Sequence, residues 1–131
     1  MAAIPDEYQD LFEKATFAHV TTFNPDGTPH TTPVWVDYDP DEDRLLINTE
    51  RQRRKERNVA ENPNVSVSMT DPDNPYRFLS VTGVVDEVTE EGARDHIDEL
   101  AMRYMGEEDY PNPIQTRRVI LKVRPDEVLT G

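Results

Sequence analysis

Thr49, Arg53, Lys55 and Asn58 stand at fixed offsets in TERQRRKERN. This ten-residue run carries five basic side chains and two acids, in a chain of formal net charge -13. The residue types suit phosphate capture. Arg offers a planar fork that meets two phosphate oxygens at once, Lys a compact charge, and Thr a hydroxyl. If the run ends a strand and opens a helix, the first N–H groups of that helix also favour an anion. Two other readings stand beside this one. The run also fits a solvated helix face, with Glu50, Glu56 and Glu61 forming local ion pairs that are individually weak. It also fits a basic patch for nucleic acid, but the acidic remainder of the chain repels a long phosphate backbone. No aromatic interleaving or DNA-reading motif accompanies it. Arg53 and Lys55 are two residues apart, so a regular helix points them in different directions. They converge on one ligand only if the helix begins late or irregularly.

Other chemistries find less support. The chain has no cysteine, which excludes disulfides, thiolate nucleophiles and Cys-ligated metal. His19, His30 and His96 are far apart and lack HxxxH or HExxH spacing. His19 falls in a strand and is expected to pack in the interior, His30 follows a hairpin turn where it can face a ligand, and His96 lies beside the apolar stripe of a helix. Asp37, Asp39, Asp41 and Asp43 alternate like the start of a calcium loop. Glu42 then stands where glycine is required and Asn48 where a bidentate Glu is required, so the segment reads as a solvated acidic turn. There is no GxSxG motif and no defensible Ser-His-Asp set. Trp35, the only tryptophan, is out of phase with Val34 and Val36 and faces the other side of its strand. It suits a ligand-pocket wall or an interface equally well.

The elements that must position these residues are mostly strands. TFAHVTTF (16–23) and TTPVWVDY (31–38) flank NPDGTP, a strong hairpin connection. RLLINT (44–49), VSVSMT (65–70), YRFLSVTGVVDEV (76–88) and RRVILKVRPDEV (117–128) supply four more strands, with Val65, Val67 and Met69 facing inward and Gly83 marking a bulge or bend. Three helices are predicted. The first covers 5–15, with Tyr8, Leu11, Phe12 and Ala15 on one side. The second covers 51–61. The third is EEGARDHIDELAMRYMG, with Thr89 as its cap and Gly106 at its stop. The order is helix, three strands, helix, two strands, helix, strand. Six antiparallel strands joined by short turns favour a closed or nearly closed barrel, in an α+β, mainly β chain. The element order and the lack of GxGxxG argue against a Rossmann fold.

At 131 residues the chain reads as a single domain, 1–131. Asp and Glu number 27 against 14 Lys and Arg, and only Lys14, Lys55 and Lys122 are lysine. Such a surface repels itself unless salt screens it, which points to a concentrated-salt cytoplasm of the haloarchaeal kind; an ordinary acidic protein is the plainer alternative. MAAIPDEYQD has neither the basic region nor the apolar core of a signal peptide, and no apolar run approaches the ~20 residues of a membrane helix. A cytoplasmic protein without membrane or nucleic-acid partners is expected.

Over about 17–128 the chain resembles the split β-barrel flavin and deazaflavin oxidoreductases, the pyridoxamine 5′-phosphate oxidase-like group. It is most similar to the branch that binds coenzyme F420, a deazaflavin. The residues that carry the likeness are FAHVTTFNPDGTPHTTPVWVDYD, the Thr49-x-x-x-Arg53-x-Lys55-x-x-Asn58 spacing, ENPNVSVSMTDPDNPYRFLSVTG and the last strand. The resemblance implies a six-stranded split barrel and a homodimer with two cofactor sites at the subunit interface. Thr49, Arg53, Lys55 and Asn58 would hold the cofactor's phosphate and polyol end. Pro33, Val34 and Trp35 would line the ring pocket, with His30 beside the ring, and Asn74, Pro75, Tyr76 and Arg77 would approach from the partner subunit. The implied activity is hydride transfer between the deazaflavin and a small electron-poor organic substrate. It needs no side-chain nucleophile; Tyr110 or solvent would supply any proton. An FMN-dependent relative and a non-catalytic F420-binding or storage protein stay open. The oxidase proper carries further substrate-phosphate residues near its C-terminus, which VRPDEVLTG does not show.

Overall fold

Alternation of inward-facing apolar residues with outward-facing ones, clearest over Phe17–Phe23 and Asn64–Asp71, builds one curled sheet. In the computed structural model, which describes residues 2–131, seven antiparallel strands run in the order β2-β1-β5-β6-β7-β4-β3. They are β1 (Phe17–Phe23), β2 (Pro29–Trp35), β3 (Asp37–Asp39), β4 (Arg44–Glu50), β5 (Asn64–Asp71), β6 (Asn74–Thr89) and β7 (Arg118–Thr130). A short 3-10 helix (Asp6–Phe12), α1 (Arg54–Glu61) and α2 (Ala93–Met105) complete it. Ala18 and Val20, Leu45 and Ile47, Val65, Val67 and Met69, Leu79 and Val81, and Val119, Leu121 and Val123 all bury their side chains inside the curl. These are the period-2 positions of their strands.

There are seven strands rather than the six expected, because the segment 31–38 breaks at Val36. β2 lies at one edge of the sheet and β3 at the other, yet only Val36 separates them in the chain. The two edges must therefore meet at Val36, which makes the sheet a half-barrel closed at that corner. Tyr104 of α2 secures the corner. The Val36 N–H donates to its hydroxyl at 3.1 Å, and the hydroxyl donates to the Thr16 carbonyl at 2.6 Å. Two backbone groups that no strand pairs are satisfied in this way.

Other departures have local causes. The first helix is 3-10 and ends at Phe12, so Leu11 and Phe12 are buried while Ala15 is exposed. Phe12 stacks on Tyr38 with centroids 5.3 Å apart. His19 faces outward, because the inward set of β1 is Ala18, Val20 and Thr22. α2 is not capped by Thr89, whose hydroxyl accepts from the Glu91 N–H instead. The helix begins after Gly92, which sits at φ +73°, where a side chain is strained. Gly83 lies at the register shift between β6 and β7, as its sequence position suggested. A Cβ there would come within 2.1 Å of the Arg124 carbonyl oxygen, so the two strands cross closely only because it is glycine. Among the described residues no helix is long and apolar enough to cross a membrane.

Candidate functional site

The basic run does turn from strand to helix, but later than its composition suggests. β4 ends at Glu50, Gln52 takes φ +72°, and Arg53 is extended at the helix N-cap, so α1 starts only at Arg54. The Glu56 carboxylate accepts from the Gln52 N–H at 2.9 Å and holds this turn. A non-glycine residue at positive φ is uncommon and is held there by its surroundings. The late start removes the divergence expected of Arg53 and Lys55 on a regular helix. Both line one cleft of about 260 Å³ together with Thr49.

The opposite wall is aromatic. Pro33, Val34 and Trp35 of β2 and Phe17 of β1 line it. Trp35 stacks on Tyr104 at 5.0 Å with nearly parallel planes, and its other neighbour, Tyr110, meets it edge-on at 6.0 Å. The indole is thereby fixed as a flat wall.

The polar side has more cations than the basic run supplies. Arg118, at the start of β7, pairs in register with Glu50 and lines the same cleft. Its guanidinium lies over the Tyr110 ring at 5.1 Å, and its Nε donates to Asn48 Oδ1 at 2.8 Å. The buried Glu50 carboxylate underlies the group. One oxygen accepts from the Gln115 and Thr116 N–H groups at 2.8 and 2.9 Å; the other accepts from Arg53 at 3.2 Å and lies 3.8 Å from Arg118. Burial alone would raise this carboxyl, but the Thr116 and Gln115 donors and Arg53 outweigh it and hold it below the usual range. Lys55 has no carboxylate at ion-pair distance among the described residues, and burial, then the charges of Arg53 and Arg118, push its ammonium pKa down. Three cations thus face one cleft over one buried carboxylate. Such an excess favours an anionic ligand that also presents a flat ring to Trp35.

Six of the residues singled out by sequence come together here: Pro33, Val34, Trp35, Thr49, Arg53 and Lys55. Asn58 is buried behind the site, where its amide donates to Thr22 Oγ1 and Asn24 Oδ1 and ties α1 to the β1–β2 hairpin. His30 borders a separate depression with Asn24, Asp26 and Arg54. Asn74, Pro75, Tyr76 and Arg77 are not part of the cleft lining either. Tyr76 is 88% exposed, and the Arg77 guanidinium is occupied within its own chain by Asp10, Asp71 and the Glu7 carbonyl. Sequence reasoning missed Arg118, Asn48 and Asn112. Arg118 and Asn112 lie far from the basic run, in a strand and a loop whose paths the sequence does not reveal; Asn48 directly precedes Thr49 but carries no motif of its own.

A curled antiparallel sheet closed at one corner, with short helices at its margins, is a split β-barrel. The chain belongs to the pyridoxamine 5′-phosphate oxidase family, whose model matches residues 4–130. Among solved structures it is 35% identical to F420 reductase, with a TM-score of 0.83 over 96% of this chain and 98% of that one. A conserved hypothetical protein from Mycobacterium tuberculosis matches at 21% identity and a TM-score of 0.73, over 99% of this chain and 85% of that one. General Stress Protein 26 from Bacillus anthracis matches at 19% identity and 0.68, over 92% and 88%. At these last two identities the likeness is one of fold. No curated protein matches the chain.

Proposed function

We propose that the chain is an oxidoreductase that binds a deazaflavin, coenzyme F420, in the cleft and serves hydride transfer to a small electron-poor organic substrate. The observation that carries this reading is the pairing, in one cleft, of the fixed Trp35 wall with a partly buried Lys55 that has no ion-pair partner among the described residues. The 35% identity to F420 reductase over nearly the whole chain supports the deazaflavin. The residues fit such a group: Lys55, Arg53 and Thr49 would hold a phosphate, and Trp35, Val34 and Pro33 would line a planar ring. When bound, the deazaflavin supplies the hydride chemistry. The protein's part is position and polarity. Tyr104 prevents Trp35 from turning, Glu50 holds Arg53 and the 115–116 backbone in one frame, and Tyr110 or solvent supplies a proton.

A homodimer is part of the proposal. Phe17 at 56%, Tyr76 at 88% and Leu129 at 64% are large apolar side chains left exposed, which supports a subunit contact. In that assembly Asn74, Pro75, Tyr76 and Arg77 would complete the site of the partner subunit, and His30 would stand beside a cofactor ring. Sedimentation velocity reads the state directly, and a monomer at micromolar concentration removes this part.

The same cleft chemistry also suits FMN, whose phosphate and planar ring make the same demands. The test is the absorption spectrum of the purified protein, followed by titration with F420 and with FMN in molar salt. F420 binding together with oxidation of reduced F420 by quinones or enones is expected. Binding of FMN alone replaces the cofactor assignment. Binding of F420 without turnover over the substrate panel makes the protein a carrier. Binding of neither overturns the reading.

A further inference from the structure

Behind the cleft lies a chain of polar side chains that phosphate capture does not require. His96 of α2 is buried, 7% exposed, and contacts Asn48 Nδ2 through Nδ1 at 3.1 Å and Asp37 Oδ2 through Nε2 at 3.1 Å. Asp37 Oδ1 accepts from Arg103 at 3.0 Å and from the Tyr38 N–H at 2.9 Å. At the other end, Asn48 meets Arg118 and the Ala93 carbonyl.

Donor and acceptor roles run through this chain without freedom. Arg118 Nε can only donate, so the Asn48 atom 2.8 Å away is its oxygen. The Ala93 carbonyl can only accept, so the atom 2.8 Å from it is the amide nitrogen. That nitrogen also faces His96 Nδ1, which must offer a lone pair. The imidazole proton therefore sits on Nε2, donating to Asp37. Flipping the Asn48 amide would face N–H against N–H at Arg118 and oxygen against oxygen at Ala93.

We infer that His96 is a positioning residue for the cleft: as a neutral imidazole with its proton on Nε2, it fixes the Asn48 amide and through it the Arg118 guanidinium that faces the ligand. A second proton on His96 would place an N–H on Nδ1 against the Asn48 N–H. The amide would have to leave its position, and Arg118 would lose its Nε acceptor. The charged groups nearest the ring are Asp37 of β3, which also holds Arg103 of α2, and, beyond Asn48 of β4, Arg118 of β7. Anion binding in the cleft is thereby coupled to a histidine that touches no ligand. The coupling to binding rests on the proposed anion site; the proton position on His96 does not.

Sulfate is the probe, since its charge does not change between pH 5.5 and 8. Ionic strength is held constant, and fluorescence of Trp35 in the cleft wall reports binding. In the wild type, affinity is expected to fall about three- to tenfold from pH 8 to pH 5.5, the worth of one hydrogen bond. His96→Gln keeps a carbonyl for Asn48 and an N–H for Asp37 but cannot titrate; its affinity is expected to be near the wild-type pH 8 value at both pH values. His96→Leu is expected to bind weakly throughout. Wild-type and His96→Gln profiles that superimpose overturn the inference, as does a long-range proton–nitrogen spectrum of the wild type showing the proton on Nδ1 at pH 8. If the wild type binds sulfate, loses it on Lys55→Met and shows no pH dependence, the inference fails and the anion site stands. If sulfate leaves Trp35 unchanged at every pH, the anion site fails, and the spectrum still decides the state of His96.

Discussion

Replacing Lys55 by methionine should separate binding from folding. The methionine keeps most of the stem and removes the charge. Lys55 is half-buried, has no carboxylate at ion-pair distance among the described residues, and is repelled by Arg53 and Arg118. In the free protein its charge is therefore a cost, and in the proposed complex it would be an unshared donor for phosphate. A charge-assisted hydrogen bond to a buried site is worth about 1.5–3 kcal/mol. Affinity for the phosphate-bearing cofactor should then drop by about 10- to 150-fold. Arg53 offers the contrast. Its side chain is 61% exposed and already bonded to Glu50, so Arg53→Ala should cost only about 0.5–1 kcal/mol of binding. The stability of the free Lys55→Met protein should match or exceed that of the wild type, since a lysine with a lowered pKa opposes folding at neutral pH. The assay is titration with F420 and with FMN in molar salt, followed by Trp35 fluorescence, beside a thermal melt of each free protein. An affinity within twofold of wild type would refute the phosphate assignment. Lost binding accompanied by a melt several degrees lower would refute it too, because folding would then explain the loss.

Three further outcomes are expected. Tyr104→Phe strands the Val36 N–H and the Thr16 carbonyl at the barrel corner and should destabilise the protein by about 1–3 kcal/mol in urea, while the stack on Trp35 remains. The Asp71 carboxyl is held far below its usual range by the Asp73 N–H, then Arg77 and Lys14, so its contribution is complete above about pH 4 and is lost as pH falls further. Urea midpoints measured downward from pH 5 should therefore fall less steeply for Asp71→Asn than for wild type. Finally, 27 acidic against 14 basic residues should make stability depend on screening. The screening length grows from about 3 Å at 1 M salt to about 10 Å at 0.1 M, and the melting temperature should drop on that dilution; equal melting curves would contradict the high-salt reading.

Much of this protein was legible in its sequence, and the physical reason is period. Val65, Val67 and Met69 could only alternate as strand residues, and all three are buried. NPDGTP could only be a turn, and the Asn24 N–H bonds across it to the Thr28 carbonyl at 2.9 Å. Trp35, out of phase with Val34 and Val36, had to leave the core, and it forms the cleft wall. The spacing of Thr49, Arg53 and Lys55 was equally visible.

Tertiary structure decided what period cannot carry. The late start of α1 rests on Gln52 at φ +72° and on Glu56 reaching back to its N–H, and only that geometry lets Arg53 and Lys55 share a cleft. The split of one expected strand into β2 and β3 follows from the sheet closing on itself at Val36, a long-range event with no local signature. Asn58 showed the right offset in sequence, yet its amide is committed to Thr22 and Asn24. Arg118 entered the cleft from a strand far along the chain, through a pairing register with Glu50, and His96 came to stand behind it on α2. The sequence by itself determined which residues face inward and which carry charge. Only the packed barrel determined which of those charges face one another.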